Sequence, residues 1–355
     1  MKEYGTIRLG ITSAGCFLGA GYVSGQELWK FFGVFGGLGI VGRIISLCIQ
    51  IVFMYILLWL GKNMENASLD RALVAPENSL LRSFAALFQL VFLFGVSTIM
   101  LAGAGALVEQ LLSLPAALGG AVFAAVACII AFGGIDGLSR ICALLVPGLV
   151  LMAVIISVSV ISAKGFNFEA SPNLNASPLL PNWWVASLSY VSYNTFGSVG
   201  VLLSVGERLA DKKTMLKGSL LGVLLLLLIS LCMLPALGSS PEAAGTELPM
   251  LALAKDLHPA FGWIYAGLLL TGMMGTTVSF WVSITNFIVT KKPGLKNRRK
   301  ELIVAMAIAA FAVSLLGFGG LIGTFYPMFG YIGFAAMAGL LYHFAVASGK
   351  KAARS

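Results

Sequence analysis

The stretch GCFLGAGYVSGQE, from Gly15 to Glu27, lies in the middle of the first long apolar run of the chain. It contains four glycines together with a serine, a glutamine and a glutamate. Inside a bilayer, glycine weakens a helix and an ionisable side chain is expensive, so a helix that serves only as an anchor needs neither. The stretch therefore predicts a membrane helix that is interrupted near its centre, with a carboxylate beside the interruption.

The composition places this stretch in a polytopic membrane protein. Of the 355 residues, 59% are hydrophobic and only 10% are charged, whereas soluble domains carry roughly 25% charged residues. The five cysteines all lie in apolar runs and none forms a CxxC pair, which argues against a disulfide framework or a zinc site. We expect an all-α membrane protein without a bound cofactor.

The apolar runs predict ten transmembrane helices. A hydrocarbon core of about 30 Å requires about 20 apolar residues per helix. Runs of this kind, bounded by charges, prolines or polar clusters, lie near 6–33, 38–60, 84–112, 116–133, 141–162, 183–205, 218–237, 261–289, 302–318 and 321–347.

The distribution of basic residues predicts the orientation of these spans. If the N-terminus is cytoplasmic, nineteen of the 23 Lys and Arg residues fall in cytoplasmic segments, and the other four are Lys30, Arg43, Lys164 and Lys255. Positive charge accumulates in cytoplasmic loops, so we predict that both termini are cytoplasmic. The net charge of +9 then reflects membrane orientation, and we expect a lipid bilayer and no nucleic acid as partner.

The two halves of the chain share features that predict an internal repeat. The third and eighth predicted spans are both 29 residues long, and the sixth span, SLSYVSYNTFGSVGVLL (187–203), carries a polar stretch with glycines near its middle, as the first does. Inverted repeats with interrupted helices are common in secondary transporters. We therefore predict a first repeat at 1–163, an extracellular linker at 164–182, a second repeat at 183–348 and a basic tail at 349–355. The predicted breaks lie near Gly19–Gly21 and near Asn194–Gly197.

A broken helix exposes backbone groups that can bind a ligand. The amides that begin the second half-helix suit an anion such as a carboxylate, and the carbonyls that end the first suit a small cation. The alternative is a close-packing face, because Gly15/Gly19 and Gly21/Gly25 both have GxxxG spacing. The candidate substrate-binding residues are Gly19, Ala20, Gly21, Ser24, Glu27, Tyr193, Asn194, Phe196 and Gly197.

Several roles are open for the charged and aromatic candidates. Glu27 could change protonation in each cycle, bind a cationic amine, close an outer gate with Lys30 or Arg43, or simply be solvated near the outer interface. The aromatic residues of the sixth span, Tyr193 and Phe196, could pack over a substrate or form bundle core.

Three stretches of the chain resemble a known family. GAGYVSGQELWKFF (19–32), MLAGAGAL (100–107) and SYVSYNTFGSVGVL (189–202) are similar to motifs of the YkvI family of bacterial membrane proteins, which resemble putative amino acid permeases. The resemblance implies the amino acid–polyamine–organocation superfamily, a LeuT-like fold of five plus five inverted helices, and a bacterial plasma membrane. The substrates of the family are largely unassigned.

The LeuT-like pattern can be carried onto the first helix, where Arg8-Leu9-Gly10 and the glycines from Gly15 to Gly21 match it. The resemblance implies that the carbonyls of Gly15 and Leu18 face a Na⁺ site and that the amides of Ala20 and Gly21 face a substrate carboxylate. It also implies that the loop 238–260 acts as an external lid.

In sodium-coupled members of that fold, two adjacent hydroxyl residues of the eighth helix complete the cation site. The corresponding stretch here, TGMMGTTVSFWVSITN (271–286), offers Thr271, Thr276 and Thr277, with Ser279 further along. The register of the resemblance favours Thr271, whose neighbour Gly272 lacks a hydroxyl. The sequence therefore favours Na⁺ only slightly over H⁺ as the coupling ion.

These observations predict a secondary active transporter of a small amino-acid-like or amine substrate, coupled to a cation. The alternative is a membrane nutrient receptor that uses a transporter fold without transport. An enzyme is not expected, because the sequence has no HExxH, no GxSxG and no clustered His or Cys.

Overall fold

The computed structural model describes residues 5–64, 79–133, 138–166, 168–171, 174–209 and 211–352, and among these residues it contains helices and no strand. We number the α-helices in chain order. They are α1 (Thr6–Phe17), α2 (Ala20–Val23), α3 (Gln26–Phe31), α4 (Gly37–Asn63), α5 (Ser79–Leu112), α6 (Ala116–Gly133), α7 (Leu138–Lys164), α8 (Trp183–Gly206), α9 (Lys212–Gly238), α10 (Pro241–Ala244), α11 (Pro249–Leu257), α12 (Pro259–Lys291), α13 (Arg299–Ser314) and α14 (Phe318–Ala352).

The first predicted span is broken, as its glycines indicate. Helix α1 ends at Phe17, and the chain is extended at Gly19, with φ −71° and ψ 167°, before α2 begins. A second irregularity follows at Gly25, whose φ of 85° is a left-handed conformation that glycine adopts without strain. The predicted break near Gly19–Gly21 is confirmed.

The sixth predicted span is not broken, and the prediction of a break near Asn194–Gly197 is wrong. Helix α8 runs without interruption from Trp183 to Gly206. Some of its polar side chains bond to carbonyls of their own helix: the Asn194 amide donates to Tyr190 O at 3.0 Å, and the Ser198 hydroxyl donates to Thr195 O at 3.0 Å. Others bond to neighbouring helices, as the Ser192 hydroxyl does to Gly330 O of α14 at 2.7 Å. These bonds form while the backbone stays helical, so the polarity of α8 does not require an unwound backbone.

The glycines of α8 instead allow close packing. A Cβ on Gly197 would lie 3.0 Å from Cζ of Phe92, and a Cβ on Gly206 would collide with the Leu58 carbonyl of α4. From the opposite side, a Cβ on Gly42 of α4 would lie 2.5 Å from Oγ of Ser187. Small residues at helix contacts are typical of membrane bundles, where backbones approach closely. In the sixth span, these glycines therefore allow neighbouring helices to pack closely and do not mark a break.

The length and composition of the helices support several membrane spans. Within the described ranges, seven helices are long and apolar enough to cross a bilayer: α4, α5, α6, α7, α9, α12 and α14. The other three predicted spans do not meet this description. The first is divided into short helices, α8 is more polar than the seven, and α13 has only 16 residues. The count of ten spans therefore stays a prediction.

The two longest predicted spans are indeed long helices. Helix α5 has 34 residues and α12 has 33, and the two helices pack against each other. The proposed division into repeats at 1–163 and 183–348 stays a prediction, and residues 353–355 of the predicted tail lie outside the described ranges.

Helix α9 shows which surface faces lipid. Leu220, Leu224, Leu228 and Leu231 recur at helical spacing and are 40–57% exposed. Its opposite face packs on α1 and α4, where a Cβ on Gly218 would meet the Leu9 side chain. An exposed apolar stripe opposite a buried face is expected for a helix whose outer surface is covered by a bilayer.

Candidate functional site

A cavity of about 670 Å³ lies beside the break of the first span. Its walls come from α1, the Leu18–Gly19 break, and helices α5, α7, α8, α12 and α14. This volume is within the range of about 300–1,000 Å³ that is usual for small-molecule sites. Nine of the residues singled out in the sequence line this cavity: Gly15, Leu18, Gly19, Ala20, Glu27, Tyr193, Asn194, Gly197 and Thr276.

The break supplies the cavity with backbone polar groups that lack helical partners. Leu18 N still donates to Ala14 O at 3.1 Å, and Val23 N donates to Gly19 O at 3.1 Å. No helical turn covers Leu18 and Gly19 between these two bonds. The carbonyls from Gly15 to Leu18 and the amides from Gly19 to Tyr22 are therefore outside the helical hydrogen-bond pattern, and part of this segment faces the cavity.

Glu27 supplies the cavity with a carboxylate. Its side chain is 4% exposed, and the Tyr193 hydroxyl donates a hydrogen bond to its Oε1. Its Oε2 lies against Gly21, because a Cβ placed on that glycine would be 2.9 Å away. Glu27 is therefore buried in the protein beside the cavity and is not a carboxylate solvated at the outer interface.

Two other predicted substrate-binding residues, Ser24 and Phe196, do not line the cavity. The Ser24 hydroxyl donates to Gly21 O at 2.8 Å, and its carbonyl accepts from Met250 N at 2.9 Å, so Ser24 holds the turn before α3. Phe196 packs in an aromatic cluster, with its ring centroid 4.7 Å from Phe88. Gly21 is also absent from the lining, although it contacts the lining residue Glu27.

One face of α12 borders the cavity and includes hydroxyl groups. Gly272, Gly275, Thr276, Ser279 and Phe280 recur at helical spacing and line it. Of the predicted cation ligands, Thr276 therefore faces the cavity, whereas Thr271 and Thr277 do not.

The hydroxyls of Thr271 and Thr277 have other surroundings. Thr271 donates to Gly267 O at 2.8 Å. Thr277 is fully buried, and among the described residues its hydroxyl has no hydrogen-bond partner. The pair of hydroxyls on the cavity face is thus Thr276 and Ser279, three residues apart rather than adjacent.

Sequence reasoning identified Tyr193 but missed three other aromatic residues of the cavity wall, Phe92, Phe280 and Tyr326. Tyr326 of α14 stacks on Tyr193 with centroids 4.7 Å apart and an interplanar angle of 13°, and both rings line the cavity together with Phe92 and Phe280. A signal for Tyr326 was present, because it precedes Pro327 in an otherwise helical run. Proline lacks an N–H and leaves the Gly323 carbonyl free, and the Ser177 hydroxyl donates to that carbonyl.

The two cations considered as gate partners of Glu27 have other hydrogen-bond partners. Lys30 Nζ donates to Asn175 O at 2.8 Å and to Asn175 Oδ1 at 2.7 Å. Arg43 Nε donates to Ser230 Oγ at 2.9 Å. The hydrogen bonds of both cations therefore go to residues other than Glu27 in this structure.

The comparison with known proteins gives whole-length relatives. No protein-family profile matches the chain. It is 27% identical over 341 residues to the uncharacterized membrane protein YkvI of Bacillus subtilis, covering 94% of each chain. This chain is a homologue of YkvI. It is also 24% identical to the uncharacterized protein YyaD of the same organism, covering 93% of this chain and 94% of YyaD.

Solved structures show the fold. The chain superposes on the inward-facing conformation of Mhp1 with a TM-score of 0.69 and 14% identity, covering 93% of this chain and 74% of Mhp1. It superposes on MhsT in complex with L-phenylalanine with a TM-score of 0.56 and 18% identity, covering 89% and 80% of the two chains. A Na⁺-coupled sialic acid symporter gives a TM-score of 0.58 at 13% identity, covering 88% of this chain and 73% of that one. The chain is therefore a multi-pass membrane protein with the LeuT fold, and the resemblance expected from its motifs is confirmed.

Proposed function

We propose that this protein is a secondary active transporter of a small zwitterionic, amino-acid-like substrate coupled to a cation. The observation that carries the proposal is the juxtaposition, in one cavity, of a broken-helix backbone and a buried carboxylate. Broken helices that meet a central cavity are the usual ligand sites of secondary transporters.

The chemistry of the cavity wall matches a zwitterion. The free amides of the break can donate hydrogen bonds to a carboxylate, and the Glu27 carboxylate can pair with an ammonium group. The rings of Phe92, Phe280 and Tyr326 provide apolar surface for a side chain. The described lining contains no Lys, Arg or His, so a multiply anionic substrate such as a phosphate ester would meet too little positive charge.

For the coupling ion we propose Na⁺, with H⁺ as the competing outcome. Carbonyl and hydroxyl oxygens are suitable ligands for a hard cation, and the cavity borders both the Gly15–Leu18 segment and the hydroxyls of Thr276 and Ser279. Glu27 offers the alternative, because a buried carboxylate can carry a proton.

The solved neighbours support the same class of function. One neighbour is described as a nucleobase-cation-symport-1 family transporter, and another as a Na⁺-coupled sialic acid symporter. MhsT was crystallised with L-phenylalanine. We extend to this chain the cation-coupled transport of a small molecule, and we propose an amino acid as the substrate because of the cavity chemistry described above.

The test has two stages. Purified protein is first screened by thermal shift against neutral L-amino acids and primary amines, each with Na⁺ or with K⁺, because a bound ligand raises the melting temperature. The radiolabelled best ligand is then offered to proteoliposomes with an imposed Na⁺ gradient or an imposed pH gradient. We expect amino acid uptake driven by the Na⁺ gradient and reduced at least tenfold in Glu27→Gln.

The matched control is Glu242→Gln, which removes an exposed carboxylate of α10 and should leave uptake unchanged. If uptake is driven only by the pH gradient and is abolished in Glu27→Gln, the coupling ion is H⁺ and the proposal of Na⁺ is wrong. Amino acid binding without uptake under either gradient would indicate a receptor, and the proposal of transport would be wrong.

A further inference from the structure

Arg43 is a buried cation that the proposed site does not use. It lies in the second turn of α4 and is 1% exposed. A guanidinium group within a membrane helix is expensive and is retained when a specific partner compensates its charge. The residues around Arg43 therefore indicate which group compensates its charge.

The direct partners of Arg43 are neutral. Its Nε donates to Ser230 Oγ at 2.9 Å, its Nη2 donates to Tyr22 OH at 3.2 Å, and its Nη1 approaches Ser46 Oγ at 3.4 Å. The serine hydroxyls in turn donate to backbone carbonyls, Ser230 to Leu226 O and Ser46 to Arg43 O, each at 2.7 Å. These hydroxyls thus present their lone pairs to the guanidinium group, which they position without neutralising it.

Aromatic faces complete the enclosure of Arg43. Its Cζ lies 4.8 Å from the ring centroid of Tyr190, 5.4 Å from that of Phe32 and 5.5 Å from that of Tyr22. Cation–π contacts of this kind hold the guanidinium in place with little water. Its hydrogen-bond partners and ring contacts do not include a carboxylate.

One layer of tyrosine separates Arg43 from the carboxylate of the cavity. Tyr190, which stacks on Arg43, contacts Tyr193 edge-to-face at 5.4 Å, and the Tyr193 hydroxyl donates to Glu27. On the other side, Tyr22 follows Gly21, which abuts Glu27. Within the described residues, Glu27 is the carboxylate that contacts the same tyrosine layer as Arg43, through Tyr193 and its neighbour Tyr190.

Among the described residues the other buried cation is Lys30, which belongs to a different group. Its Nζ donates to Asn175 and lies against Gly323 of α14, 3.5 Å from the position of an added Cβ. Glu247 accepts a hydrogen bond from Gly319 N at the start of α14. Lys30 and Glu247 therefore contact neighbouring turns of α14, and Arg43 is the described buried cation that shares the tyrosine layer with Glu27.

We propose that Arg43 is the fixed countercharge of Glu27 and that it makes the cavity select a zwitterion over an organic cation. The inference rests on the proposed function and specifies its substrate class. While Arg43 is present, the buried pair has no net charge, so a ligand without net charge enters at the smallest electrostatic cost. Without the charge of Arg43, Glu27 alone would attract a cationic amine, because opposite charges interact strongly in a poorly hydrated interior.

The experiment compares a zwitterion with the amine that lacks its carboxylate. Binding of L-phenylalanine and phenethylamine, and of L-leucine and 3-methylbutylamine, is measured by calorimetry on purified protein in detergent. We expect Arg43→Gln to change the ratio of the two affinities about tenfold in favour of the amine, an effect of the size expected for charges across a layer of side chains. Arg43→Lys, which keeps the charge, should retain most of the wild-type preference.

Ser230→Ala is the matched structural control, because it removes the hydrogen bond to Arg43 Nε and keeps the charge. It should leave the ratio unchanged. Ser230→Asp provides a second approach if Arg43→Gln does not fold, since a carboxylate against Arg43 Nε would neutralise the cation in place and should favour the amine. Equal weakening of both ligands by Arg43→Gln, or an unchanged ratio in Ser230→Asp, would overturn the countercharge role. If the wild-type protein binds neither class of ligand, the proposed function itself is wrong, and the inference is overturned with it.

Discussion

Gly21 shows how a single missing side chain shapes the site. The position is buried within α2, and its φ is not in the left-handed region, so other residues could adopt its backbone conformation. Space is the constraint, because an added Cβ would lie 2.9 Å from Oε2 of Glu27 and 3.4 Å from the Tyr326 hydroxyl. Glycine at this position therefore leaves room for the carboxylate in its bonded position.

We predict that Gly21→Val lowers ligand affinity at least tenfold, equivalent to about 1.4 kcal/mol, while the protein still folds. The branched side chain would displace Glu27 from its bond with Tyr193 and push it into the cavity. The measurement is the thermal shift produced by the best amino acid ligand, with size-exclusion chromatography as the test of folding.

Gly200→Val is the matched control for this substitution. Gly200 lies on the exposed side of α8, and a Cβ there would have no neighbour within 4 Å. Normal ligand binding by Gly21→Val would show that the glycine is not required for the carboxylate position.

Helix α11 belongs to the loop 238–260, and the family resemblance implies that this loop acts as an external lid. The Gln110 side chain of α5 pairs with the backbone of Leu248, donating to its carbonyl at 3.1 Å and accepting from its amide at 3.2 Å. Two residues later, Met250 N donates to Ser24 O at the end of α2. Helix α11 is therefore attached both to α5 and to the broken first span.

We predict that Gln110→Ala increases amide hydrogen exchange across Pro249–Leu257 about thirtyfold, because two hydrogen bonds to Leu248 are lost and each is worth about 1 kcal/mol. Gln110→Glu should have a smaller effect, since a carboxylate can still accept from Leu248 N. The measurement is exchange followed by mass spectrometry on detergent-solubilised protein.

Peptides from α13 serve as the internal control and should keep their wild-type exchange rates. Unchanged protection of α11 in Gln110→Ala would mean that its other contacts hold it, and Gln110 would then have no anchoring role.

At the scale of the whole molecule, the distribution of charge predicts the orientation in the membrane. The helical segment Pro293–Arg298 between α12 and α13 is surrounded by basic residues and is largely exposed. The short helix α10 follows the C-terminal end of α9 and carries the exposed Glu242. Positive charge favours the cytoplasmic side, so these two segments should lie on opposite sides of the bilayer.

We predict that a membrane-impermeant maleimide added to intact cells labels Glu242→Cys and does not label Lys296→Cys until the membrane is permeabilised. Label on the unmodified chain, whose five native cysteines lie in predicted spans, measures the background. The opposite labelling pattern would reverse the predicted cytoplasmic location of both termini.

Composition and the local glycine pattern were enough to predict the class of the protein and the position of the first break. A high apolar content and few charges leave a bundle of membrane helices as the stable solution, because backbone polar groups must be satisfied within the bilayer. The break at Leu18–Gly19 was also predictable, since it depends on glycines that are close together in the chain. Glu27 was predictable for a similar reason, because a carboxylate in an apolar run is costly wherever its neighbours lie.

The roles of the other polar and glycine-rich segments depend on contacts between helices that are distant in the chain. The first span is unwound near its glycines, whereas the sixth stays helical. The glycines Gly197 and Gly206 of α8 meet Phe92 and the backbone of α4, and its polar side chains bond to carbonyls of α8 or α14 without unwinding the backbone. Tyr326 stacks on Tyr193, which bonds to Glu27, although these residues are far apart in the chain. The rotation of α12 about its axis places Thr276 rather than Thr277 at the cavity. These arrangements depend on contacts between helices that are distant in the sequence. A local pattern of residue types carries no information about how such helices are placed or rotated.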